Sequence, residues 1–223
     1  MKRPLETSDR RKAERLDTEA KALEAQVQQR LRDMDRGHTE QLCERYRHLV
    51  PAERIQKVKD SPTIFEEHGD FERSRREAGG SEPGDGKKVV GFYLGNFESA
   101  HVDMDDPQAE KAAIHERVHQ LSDPGAQEVF GKKLYEGATE DLAIKELGRQ
   151  PNPELPHSYP QERVTAQELR KLCGDNAVDR AYFRGDAGEL RARLDRCLGK
   201  ESLKDLEDKA MSSQERAERD DGE

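Results

Sequence analysis

Two histidines spaced four residues apart constrain this chain more than any other feature, in the stretch Ile114-His115-Glu116-Arg117-Val118-His119. On a helix, His115 and His119 lie one turn apart and project from the same face. Two neutral imidazoles then converge on one point, a donor set that suits a borderline-soft cation such as zinc. Glu116 is carried on the same helix, beside the place where a metal-activated water would sit. The fold must therefore make 114–119 helical and bring a further ligand to that helix from another element.

The neighbouring sequence provides for both. Asp106 reads as an N-cap with Pro107 at the first helical position, and Ser122-Asp123-Pro124-Gly125 stops the helix after Leu121. A second helix is expected from Leu134 to Leu147, ended by Gly148 and the proline-rich run Pro151 to Pro156. A catalytic zinc takes three protein ligands and leaves a fourth position open. Glu136, near the start of a helix that can pack antiparallel to the first, is placed to be the third.

Upstream, Leu16, Ala20, Leu23, Val27, Leu31 and Met34 recur at steps of three or four, which predicts an amphipathic helix over Ser8 to Asp35 with Gly37 as its stop. A second helix is expected from Thr39 to Leu49, with Leu42, Cys43, Tyr46 and Leu49 on one side and Pro51 closing it. Such helices pack on the domain, pair with another copy of the chain or recruit a protein partner. Ile64, Phe65 and Phe71 anchor the polar stretch that follows, and 78–86 has the composition of a flexible linker or loop. Beyond it, Val89 to Leu94 and Ala100 to Met104 read as two antiparallel strands. The last third reads as helices over Thr165 to Cys173, Ala177 to Phe183, Gly188 to Leu198 and Glu201 to Met211. Thr165 and Glu168 are spaced as a capping box.

These elements predict a mostly helical α+β fold, in which a small antiparallel sheet packs on the histidine helix between helical N- and C-terminal parts. The division is a helical region 1–77, the loop 78–86, a domain over 87–211 and a disordered tail 212–223. A net charge of −9 argues against a nucleic-acid partner. No run approaches the roughly 20 apolar residues of a membrane helix, and no apolar segment follows Met1-Lys2-Arg3. A cytoplasmic protein is expected, or one delivered without a cleavable signal peptide. Cys43, Cys173 and Cys197 form no CxxC pair, so they read as reduced thiols rather than a disulfide framework or a cysteine zinc cluster.

Tyr135-Glu136-Gly137-Ala138-Thr139-Glu140, read beside His115-Glu116-Arg117-Val118-His119, resembles the gluzincin branch of the zincin metallopeptidases, including zincin-like domains of bacterial effectors and toxins. The resemblance covers Val89 to Ile144. The metzincin branch requires glycine at 122 and histidine at 125, where this chain has Ser122 and Gly125. The resemblance implies Zn2+ held by His115, His119 and Glu136, with Glu116 as general base. Glu140 takes the position of the acid that receives the other ring N–H of the first histidine and fixes its tautomer. It also implies that a strand edge, from 89–94 or 100–104, receives an extended protein or peptide substrate.

Attack on a carbonyl creates an oxyanion that needs a donor besides the metal. His157 and Tyr159, in the loop after the ligand helix, are the first candidates and Tyr182 the next. The function so expected is zinc-dependent peptide hydrolysis. The alternative is a non-enzymatic interaction or scaffold protein of the same fold, acting through the N-terminal amphipathic helices, which could also lie over the cleft and hold an enzyme latent.

Overall fold

The computed structural model describes residues 7–79, 89–94, 99–148 and 159–200. Among these are nine helices and one three-stranded sheet, so the fold is mostly helical α+β. The elements are α1 (Thr7–Tyr46), α2 (Ala52–Asp60), β1 (Thr63–Glu66), α3 (His68–Glu77), β2 (Gly91–Leu94), β3 (Ser99–Asp103) and α4 (Ala109–Leu121). They continue with α5 (Ala126–Phe130), α6 (Lys132–Leu147), α7 (Pro160–Cys173), α8 (Asp175–Arg184) and α9 (Gly188–Leu198). The expected helix over 201–211, the tail 212–223 and most of the expected loop lie outside the described residues.

The two expected N-terminal helices are one. α1 runs 40 residues through Gly37. A mid-helix glycine costs about 1 kcal/mol relative to alanine, and burial of a single leucine offsets that. Beyond Gly37, α1 buries Leu42, Cys43 and Tyr46 in the main core, which holds the helical conformation through the weak position. Its first half has no such anchor: Leu16 is 51% and Leu23 62% exposed.

β2 and β3 form the expected antiparallel pair, with Gly91 opposite Val102 and Leu94 opposite Ser99. A third strand, β1, adds in parallel to the other side of β3, with Thr63 opposite Ala100, so the sheet is mixed in the order β1-β3-β2. Side chains alternate across β3. Val102, with Phe65 of β1, packs on Ala109, Ala112 and Ala113 of α4. On the other face His101 bonds Glu66 at 2.8 Å and stacks flat on Phe92, while Asp103 bonds His68 at 2.7 Å. The Asp103–His68 bond, with the Ser74 hydroxyl donating to Glu66 at 2.6 Å, holds α3 (His68–Glu77) to the sheet.

The main core joins α1 and α2 to α4 through α9: Leu42, Leu49 and Val58 share it with Ile114, Val118, Leu142 and Leu190. A buried arginine reinforces the join. Arg117 donates to both carboxylate oxygens of Asp35 at 3.1 and 2.7 Å, and to the carbonyls of Val58 and Ser61 at 3.2 and 2.9 Å. Arg117 lies about 200° around α4 from each histidine, so α1 and α2 brace the back of that helix while the histidines face elsewhere.

Four helix starts differ from expectation, α6 and α8 by beginning two residues early at Lys132 and Asp175. α4 begins at Ala109 because Asp106 makes a turn of its own, accepting the Gln108 N–H at 2.7 Å. α7 begins at Pro160, and the Thr165 hydroxyl bonds back to the Gln161 carbonyl at 3.1 Å, so Thr165 lies inside the helix and caps nothing. Gly148 ends α6 in the left-handed conformation, φ 67°, that favours glycine.

Candidate metal centre

α4 and α6 lie side by side, and the face each turns to the other carries the polar residues of the site. His115 Nε2 and His119 Nε2 are 3.0 Å apart. Glu136 Oε2 lies 3.3 Å from the first and 3.2 Å from the second. A tetrahedral ion with bonds of about 2.0–2.1 Å spaces its ligands about 3.3 Å apart. The three atoms therefore fit zinc in number, type and spacing, and they form the one such group found among the described residues.

The outer nitrogens of both rings are engaged. His115 Nδ1 lies 3.1 Å from Glu140 Oε2, and Lys111 donates to the other Glu140 oxygen at 2.8 Å. His119 Nδ1 faces the Thr139 hydroxyl at 3.4 Å. With their protons at Nδ1, both imidazoles present Nε2 lone pairs to the same point. Lone pairs that close repel unless a cation or a proton lies between them.

The charge balance agrees. Burial works against charging His115, yet its bonds to Glu136 and Glu140 outweigh that and raise the imidazole from 6.5 to about 10. Burial alone would push Glu136 up, but the two histidines hold it well below the usual carboxylate range. Glu140 is likewise lowered by His115 and Lys111 against the effect of burial. A proton on His115 and a metal ion compete for the same lone pair.

Glu116 is buried, and burial raises its carboxyl above the ordinary value despite the opposing pull of His115 and His119. Its side chain lies against β2: a Cβ added to Gly91 would stand 3.2 Å from Glu116 Oε1. The glycine leaves room for the carboxylate between α4 and the strand.

Tyr159 immediately precedes α7, and its ring stacks on that of His115, with centroids 6.0 Å apart and planes inclined by 14°. Its backbone is left-handed, φ 54°, a conformation that costs an ordinary residue roughly 1–2 kcal/mol and is further disfavoured before proline. Burial raises its phenol, as do the nearby Glu136 and Glu116 charges, so the hydroxyl remains a donor at neutral pH. Gly137 sets where α7 lies. A Cβ there would fall 2.3 Å from the Glu162 carbonyl carbon, so only glycine lets α7 approach α6 and bring Tyr159 over His115.

Of the sequence-expected site residues, the structure brings together His115, His119, Glu136, Glu116, Glu140 and Tyr159. His157 lies outside the described residues. Tyr182 is fully buried behind α6, with its hydroxyl 2.5 Å from Thr139, so it is not a donor in the cleft. Lys111 and Thr139 escaped sequence reading. Lys111 falls one turn before His115, and Thr139 sits next to the expected Glu140, so helical spacing from the candidate residues was the available signal.

No helix of the described residues is long and apolar enough to cross a membrane. No protein-family model, curated protein or solved structure matches the chain.

Proposed function

We propose that this chain is a zinc-dependent peptidase of the gluzincin kind, with His115, His119 and Glu136 as metal ligands and Glu116 as general base. The convergence of two Nε2 atoms and one carboxylate oxygen within 3.0–3.3 Å carries the reading. A bound zinc ion supplies Lewis acidity, polarising a carbonyl oxygen and making water acidic near pH 7. Glu116, with its proton affinity raised by burial, takes the proton of the attacking water and returns it to the departing amine. The Tyr159 hydroxyl, still protonated, donates to the oxyanion as it forms. A structural zinc site would have no use for the Glu116 carboxylate or for a strained tyrosine at its edge.

Substrate comes in along the sheet. β3 is paired on both sides, whereas β2 has an edge with no strand on it among the described residues. β2 also carries Gly91 against Glu116, so a peptide added to that edge would pass the base.

A second reading, an interaction protein acting through α1, draws on the exposed Leu16, Leu23 and Val27 along its first half. One experiment separates the two: zinc content of wild type, His115→Ala, Glu136→Ala and Glu116→Gln, with cleavage of a peptide library by each. The proposal expects about one zinc per chain in wild type and in Glu116→Gln, less in the ligand variants, and cleavage by wild type alone. Full zinc content without cleavage by wild type supports the interaction reading, and no zinc in wild type removes the enzyme.

A further inference from the structure

The two histidines are oriented by different chemistry. Behind His115 stands a carboxylate, Glu140, anchored by Lys111. Behind His119 stands a neutral hydroxyl, that of Thr139. A hydroxyl can donate or accept, so by itself it does not choose the imidazole tautomer. Here its neighbours choose.

The Thr139 hydroxyl has one proton, and its donor bond goes to the Tyr135 carbonyl at 2.9 Å, one turn back along α6. The Tyr182 hydroxyl lies 2.5 Å from Thr139 Oγ1. With the Thr139 proton on that carbonyl, Tyr182 is the donor of the pair. Thr139 Oγ1 is left with one lone pair, facing His119 Nδ1. Only an Nδ1–H satisfies it, which leaves the His119 lone pair at Nε2, toward His115 and Glu136. Thr139 and Tyr182 are fully buried, so water does not compete for these bonds.

We propose that Thr139, aligned by Tyr182, is the positioning residue that makes His119 an Nε2 ligand, a role that rests on the metal-centre reading above. Tyr182 thereby acts on the site from α8 without entering the cleft. The same α8 residue packs on Tyr135 and Phe183, so ligand geometry is tied to the core.

The test is zinc affinity by chelator competition on purified wild type, Thr139→Val, Thr139→Ser, Tyr182→Phe and the double Thr139→Val/Tyr182→Phe chain, with thermal unfolding of each metal-free form. Thr139→Val keeps the shape and loses the hydroxyl, and zinc binding should weaken about 10–100-fold. Thr139→Ser restores most of the affinity, since the hydroxyl returns, and a role in packing alone would give no such rescue. Tyr182→Phe weakens binding by a smaller factor. The double chain binds no worse than Thr139→Val, because Tyr182 acts through the group already removed. Wild-type affinity in folded Thr139→Val overturns the inference while leaving the metal centre standing. If Thr139→Val does not fold, wild-type affinity in Tyr182→Phe overturns it instead. Failure of wild type to bind zinc defeats the metal-centre reading, and this inference with it.

Discussion

Gly137 offers a prediction whose size follows from distances. A methyl group at this position would meet the Glu162 carbonyl carbon and oxygen at 2.3 Å and Glu162 Cβ at 2.8 Å, where ordinary contact is 3.4–4 Å. Two of those atoms are backbone, so no rotamer change relieves the clash; α7 must withdraw from α6 by about 1 Å. Overpacking of this kind costs about 1–3 kcal/mol, and a backbone clash sits at the upper end. The better helix propensity of alanine returns at most about 1 kcal/mol. Gly137→Ala should therefore lose about 2 kcal/mol net, which lowers the melting temperature by roughly 4–8 °C in a chain of this size. α7 carries Tyr159 at its start, so its displacement should reduce peptide cleavage more than zinc affinity. Differential scanning calorimetry with a cleavage assay measures both. A Gly137→Ala protein as stable as wild type would refute the close approach of α7 to α6, and with it the physical reason for glycine after Glu136.

Other expectations follow from the same geometry. Gly37→Ala should stabilise by about 0.5–1 kcal/mol in denaturant unfolding, because Gly37 is helical and an added Cβ meets nothing within 4 Å. Gly91→Ala presses on the Glu116 carboxylate and on Ala112, so cleavage should fall while zinc stoichiometry stays at the wild-type value. The His115 imidazole is raised from 6.5 to about 10, so its stabilising contribution to the metal-free protein is complete below about pH 6.5 and is lost as pH rises toward 10. Over that window the metal-free melting temperature should fall while the further rise produced by added zinc grows, since a weaker hold on the proton favours the metal. A zinc-induced rise that shrinks from pH 6.5 to 9 would contradict the competition for one lone pair.

The convergence of the candidate residues was readable because helix spacing is rigid: once 115 and 119 are helical, their common face follows, and Glu136 and Glu140 repeat the logic on α6. The resemblance pointed to Glu140, which lies 3.1 Å from His115 Nδ1. What resisted reading depends on distant partners. β1 is four residues long in a polar stretch, and only pairing with β3 makes it a strand. Gly37 looks like a stop until Leu42, Cys43 and Tyr46 are seen buried beyond it. Tyr182 reads as a donor for the cleft because sequence order puts it downstream of the candidate site residues, yet α8 turns it into the core. The role proposed for Thr139 depends on which way one proton points, and so on its partners Tyr135 and Tyr182, which only the fold brings beside it.

Anomalous diffraction from zinc-soaked crystals at energies on either side of the zinc edge tests directly whether these side chains form a metal centre. One strong peak is expected, bonded to His115 Nε2, His119 Nε2 and Glu136 at about 2.0–2.2 Å. A peak elsewhere, or none between α4 and α6, would contradict it.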